Sequence, residues 1–269
     1  MGSRVSADPV TPRRARGFVG GVAFLTRLPV RTAVTEADIG ASVAWFPVVG
    51  ALIGAASGIV FWGAASVAPG VVAALLAVAT SVALTGAFHE DGLADTADAF
   101  GAASTGRDPH SAMKDPRLGA FGVLALVVGV GLRAAALAAL APRAGALALV
   151  AAHAAARGAS ATVVTHAPRV ADGLGSSHAR LATRRRGIVA ATLGAVIASV
   201  ALGSSFGPAT PLVALAGLAA TSVVLARWAR TRLGGVSGDV LGAIEQTGEV
   251  AVLLSAAAAF TQGWTGPLA

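Results

Sequence analysis

HEDGLADTADAFGAASTGRDPHSAMKDPRLGAFG, residues 89–122, is the stretch around which the rest of the chain is arranged. It carries six of the 13 acidic residues, Glu90, Asp91, Asp95, Asp98, Asp108 and Asp115, between long runs of Ala, Val, Leu and Gly. Asp91, Asp95 and Asp98 stand at i, i+4 and i+7, which is one face of a helix. Carboxylates this close repel one another. The spacing therefore points to a cation, and oxygen donors suit a hard divalent ion, Mg²⁺ above all. Glu90 sits about 100° round the helix from Asp91 and reaches the row only from its flank. The blander reading, a solvated helix end, leaves that repulsion uncompensated.

The composition of the whole chain says where this polar island lies. Of 269 residues, 55% are hydrophobic and 12% charged, with a mean hydropathy of +0.74. A soluble domain carries roughly 25% charged residues. Half that charge predicts an all-α, polytopic transmembrane helical bundle. There is no cysteine, which excludes disulfides and thiolate metal centres. The net charge of +7 sits in clusters between apolar runs, the pattern of membrane topology and not of a nucleic-acid partner.

Seven spans are expected, near 43–66, 70–88, 120–141, 144–165, 187–206, 209–227 and 249–264. Residues 17–31 are too short to cross a bilayer and fit an interfacial or re-entrant helix, behind a disordered basic tail at 1–16. Arg13-Arg14 stands where a twin-arginine signal would, but Arg27-Leu28-Pro29 interrupts the apolar run behind it. Residues 17–269 read as one integral-membrane domain. With the N-terminus inside, 17 of the 20 Lys and Arg fall on one side, so the N-terminus and the 89–119 segment are expected to face the cytoplasm. Trp45, Trp62, Trp228 and Trp264 fall near span ends, as interface anchors do. Gly50, Gly54 and Gly58 repeat at every fourth residue and predict a close helix–helix seam within the chain.

Other polar groups are weighed against this frame. Lys114 and Arg117 either hold phosphate beside the acidic row or mark the flank of the third span; charge placement favours neither. Gly234-Gly235-Val236-Ser237-Gly238-Asp239 is a glycine-rich turn before a helix, able to offer N–H groups to an anion, without a Walker signature. Glu245 and Glu249 follow on one face. His89 is a base or an orienting donor. His153, Arg157 and His166 lie along the fourth span, and an intramembrane arginine is a site candidate whose partner the sequence does not name. Ser176-Ser177-His178 is an unremarkable basic loop.

Phe88 to Asp98 and Met113 to Gly122 together resemble the central block of the cobalamin synthase family, adenosylcobinamide-GDP ribazoletransferase. Phe24-Leu25-Thr26-Arg27-Leu28-Pro29, Phe46-Pro47-x-x-Gly50 and Gly234-Gly235-x-x-Gly238-Asp239-x-x-Gly242-Ala243 are similar to its other blocks, in the same order. Ala99 departs from the family's glycine and Pro116 from its serine; neither removes a charge. The resemblance implies a Mg²⁺-dependent transfer in which α-ribazole, or its 5′-phosphate, attacks adenosylcobinamide-GDP and GMP leaves. It implies Asp91, Asp95 and Asp98 as metal ligands with Glu90 assisting, and His89 or Asp115 as proton acceptor. Arg27, Lys114, Arg117, Gly119, Gly238 and Asp239 would contact substrate. The other reading, a CDP-alcohol-type phosphotransferase, meets Ala94 and Asp95 where that family's motif has Ala-Arg. An ion-coupled transporter would carry its acids mid-membrane, often in inverted repeats; no repeat is visible. A homo-oligomer is left open.

Overall fold

A computed structural model of the chain describes residues 13–168, 170, 182–264 and 266. The expected tail up to residue 12, Arg169, Asp172, Arg180 and the Ser176-Ser177-His178 loop lie outside the described residues. Eleven helices follow one another among the described residues: α1 Arg13–Leu25, α2 Glu36–Ser42, α3 Phe46–Ala65, α4 Gly70–Thr85, α5 Phe88–Ser104, α6 Pro109–Met113, α7 Ala120–Ala138, α8 Pro142–His166, α9 Arg184–Phe206, α10 Ala209–Leu233 and α11 Gly238–Thr261. Six segments are long and apolar enough to cross a bilayer, 37–65 through α2 and α3, then α7, α8, α9, α10 and α11; α4 and α5 together, bent by 93°, form a broken seventh span or a re-entrant loop. The all-α membrane bundle expected from composition is what forms.

Three boundaries differ from expectation. Helix α1 takes in Arg13 to Arg16, which had been assigned to the tail. Helix α4 stops at Thr85, and the chain turns by 93° into α5. Gly86 (φ 69°) and Ala87 (φ 60°) form that corner, and Ala87 is the one non-glycine residue of positive φ among those described. An L-residue there costs roughly 1–2 kcal/mol. Helix α11 begins at Gly238, eleven residues before the expected start of the last span, so Glu245 and Glu249 lie inside a membrane helix.

Helix α8 is the centre of the bundle, with α3, α9 and α11 packed along it and an almost unbroken buried run from Ala151 to Gly158. Small residues make this approach attainable. The glycine repeat of α3 lies against the α8 backbone: a Cβ at Gly54 would sit 2.5 Å from the Leu149 carbonyl oxygen, and one at Gly58 2.9 Å from that of Ala146. Gly158 and Gly194 bring α8 and α9 together in the same way. Lipid gives no hydrophobic drive for helix association, so close backbone packing supplies it. Gly54→Leu is expected to lower stability by about 3 kcal/mol, since backbone and not a flexible side chain must give way. Gly63→Leu, with nothing within 4 Å, is the control. Melting temperatures in detergent check the pair.

Candidate functional site

Helix α5 runs along α7, from Asp98 beside Gly119 and Gly122 to Glu90 beside Arg133, and crosses α11 at Gly92 and Gly242, and its faces do different work. The outward face carries the row. Asp91 is exposed, and Asp95 and Asp98 are half-buried. Helices α5 and α11 cross at glycines: a Cβ on Gly92 would meet the Asp239 carbonyl oxygen at 2.7 Å, and one on Gly242 the His89 carbonyl oxygen at 3.1 Å. That crossing sets Asp239, in the first turn of α11, beside Asp91 and Asp95. Burial, then the charges of Asp91, Asp239 and Asp98, push the Asp95 carboxyl up to about 6.

Asp98 shares the face but has another occupation. Its carboxylate accepts the Gly119 N–H at 2.8 Å and the Gly122 N–H at 2.9 Å, and so caps α7, whose own N-cap residue offers no side chain. A carboxylate at a helix N-terminus satisfies orphan donors and meets the positive end of the dipole. Gly119 is glycine because a Cβ there would run into that carboxylate. Asp98→Ala is expected to cost about 1 kcal/mol, read as a lower melting temperature.

Glu90 does not flank the row. It turns underneath α5, 7% exposed, with its Oε1 3.3 Å from both Nη1 and Nη2 of Arg133 on α7. His89, 2% exposed, points inward too, with Nε2 2.8 Å from Glu245 Oε2. Asp115 is held in a fork by Arg117, Nε at 2.9 Å and Nη2 at 2.8 Å, and these hydrogen bonds keep its carboxyl down at about 2. Lys114 and Arg117 are exposed on the same loop, and Met113 beside them meets the Ser237 hydroxyl, 3.6 Å from Sδ, so loop and glycine-rich turn adjoin. Gly238 opens α11, exposed, after the Ser237 cap. Arg27 lies over Gly86 at the α4–α5 corner, its N–H donating to the Leu84 carbonyl at 2.7 Å.

Beneath α5 is a polar lattice that the sequence reading did not assemble. Glu249 accepts from Arg157 Nη1 at 2.8 Å and Arg133 Nη1 at 3.1 Å, and stands 2.7 Å from His153 Nδ1. Glu245 accepts the Ser160 hydroxyl at 2.7 Å and lies 3.6 Å from Arg157 Nε. The acidic partners of Arg157 are therefore Glu245 and Glu249, and its Nη1 also meets Nδ1 and the carbonyl of His153 one turn back. Its signal was present: two acids at i, i+4 on one apolar helix and His153 with Arg157 at i, i+4 on another.

A divalent ion fits the outward face on chemical grounds. Asp91, Asp95 and Asp239 offer oxygen donors, and no lysine or arginine pairs with them among the described residues. No three acidic or histidine side chains there close round one point.

Spans knitted by small residues, with charge buried among them and an acidic helix packed along them, define a polytopic membrane protein with a built polar site. A family model described as cobalamin-5-phosphate synthase matches residues 17–257. The chain is 44% identical to the adenosylcobinamide-GDP ribazoletransferase of Bradyrhizobium diazoefficiens, over 87% of this chain and 90% of that one. It is 41% identical to that of Sinorhizobium medicae, over 86% and 92%, and 38% identical to that of Leptothrix cholodnii, over 89% and 94%. No solved structure matches. The chain belongs to the cobalamin-5-phosphate synthase family and is an enzyme of cobalamin synthesis.

Proposed function

We propose that the protein joins adenosylcobinamide-GDP to α-ribazole or its 5′-phosphate. The ribose hydroxyl oxygen bonds to the cobinamide-bound phosphorus, the bond from that phosphorus to GMP breaks, and GMP leaves. Adenosylcobalamin, or its 5′-phosphate, is the product. The observation that carries this reading is the Asp91, Asp95 and Asp239 cluster, whose charge no basic side chain offsets among the described residues. One or two of these carboxylates at a time would hold Mg²⁺, which when bound polarises the diphosphate and offsets charge on the leaving group.

The chain's own groups supply the rest. Lys114 stands free at the loop edge to hold phosphate oxygens, and Arg117 reaches the same position once it exchanges Asp115 for phosphate. Arg27 sits at the corner where α5 starts, placed for an anionic part of the substrate. His89 is turned to Glu245 beneath α5, so the hydroxyl's proton passes to a carboxylate on the outer side, one of the row or Asp115 once Arg117 has left it. The arginine-rich end, and the site with it, faces the cytoplasm in this reading.

The test is release of GMP by detergent-purified protein. Release only when α-ribazole (or its phosphate) and Mg²⁺ are both present supports the reading. Release of CMP from a CDP-alcohol, with none of GMP, would replace it by the CDP-alcohol-type reaction.

A further inference from the structure

The two residues that open the way to the acidic row are gripped from different helices. His89 Nε2 lies 2.8 Å from Glu245 Oε2 of α11, an ion-pair contact without hydrogen-bond alignment, and Glu90 is held by Arg133 of α7, 3.3 Å away. Both grips are tied onward: Glu245 to Ser160 and Arg157 of α8, and Arg133 to Glu249 of α11. Consecutive helical residues point about 100° apart, so the two grips oppose rotation of α5 about its axis in both senses. They act one and two residues before Asp91, and immediately after a corner where Ala87 holds a φ of 60°. A strained alanine persists only where its surroundings over-determine it.

Stability alone does not account for such a lattice, because apolar packing of the same volume is often as stable as a buried ion pair or more so. What the lattice does fix is direction. Asp91 and Asp95 lie on the side of α5 away from Glu90, and face Asp239 only at one rotation of the helix.

We infer that Arg133 and Glu245 are positioning residues for the acidic site: through Glu90 and His89 they set the angle at which α5 presents Asp91 and Asp95 to Asp239. The inference rests on the reading of that cluster as a divalent-ion site. Neither residue touches the ion or the substrate. Their effect is on the arrangement of the donors, as with the outer partners of metal ligands, whose loss weakens metal affinity by roughly 10–100-fold.

The experiment titrates Mn²⁺, as a paramagnetic stand-in for Mg²⁺, into the purified full-length protein and follows free Mn²⁺ by electron paramagnetic resonance. It compares wild type, Arg133→Gln and Glu245→Gln, with the Mg²⁺ requirement for GMP release measured in parallel. Each variant is expected to raise the Kd for Mn²⁺ about tenfold, with the KM for adenosylcobinamide-GDP at saturating Mg²⁺ within about twofold of wild type. A purely structural role would lower the yield of folded protein and leave the Kd of the folded fraction in place; that result overturns the inference. Wild-type protein that binds no Mn²⁺ overturns the metal reading itself, and the inference with it. If Arg133→Gln does not accumulate, Arg133→Lys carries the same titration, keeping the charge and losing the fork. An unshifted Kd in Arg133→Lys and Glu245→Gln alike overturns the inference.

Discussion

Asp95→Asn is expected to lower GMP release by about 10²–10³-fold, the scale on which enzymes lose rate when one pre-organised electrostatic group is removed. Asp95 is the central carboxylate of the cluster, with Asp91, Asp98 and Asp239 all acting on it. The amide keeps its size and removes its charge, so the fold survives and the site does not. A cation held there offsets the mutual repulsion of these acids; without the Asp95 charge, that attraction weakens. The sign of the pH dependence follows. Burial and neighbouring carboxylates raise the Asp95 carboxyl to about 6, so protons compete with the divalent ion below that pH. The wild-type Mg²⁺ requirement is expected to rise as the pH falls through about 6, and that rise is expected to flatten in Asp95→Asn. The same raised carboxyl is held better protonated in the fold than in the unfolded chain, so it favours the fold at low pH and loses that contribution as pH rises through about 6. Turnover in Asp95→Asn equal to wild type, with the same Mg²⁺ dependence, would remove the cluster from the mechanism.

Glu249→Gln is expected to have the largest effect on the fold. Glu249 is 1% exposed and serves Arg133, Arg157 and His153 at once. Neutralising it leaves two guanidiniums in the bundle with only Glu90 and Glu245 between them. Removing one partner of a buried pair costs about 3–5 kcal/mol, here inside a bilayer where no water stands by to take over. The measurement is the melting temperature, and the yield of monodisperse protein, against wild type. Arg117→Gln, which breaks only the exposed fork with Asp115, is expected to leave both unchanged. Equal melting temperatures for Glu249→Gln and wild type would show that the lattice carries no structural weight.

What could be read from the chain, and what could not, divides along physical lines. Apolar runs set off by arginines give the spans, because a bilayer imposes length and charge placement on every helix alike. Glycines at every fourth residue announce the α3–α8 seam. Helix α11 starts ahead of the expected span because Glu245 and Glu249 interrupt its apolar run, and nothing local shows that two arginines wait on other helices. Helical spacing puts Asp91, Asp95 and Asp98 on one face, but says nothing of what each meets: Asp98 caps a helix that begins 22 residues further on, and Asp239 comes from the far end of the chain. Glu90 was set at the flank of the row by an angle alone, and the pull of Arg133 decides where it goes.

Helix α4 has 16 residues and so rises only about 24 Å, against a hydrocarbon thickness of about 30 Å. A helix too short for its surroundings is accommodated by thinning of the lipid around it. Where the bilayer thins to match, the 93° corner at Gly86 and the start of the acidic helix would lie closer to water than a full-length span would leave them.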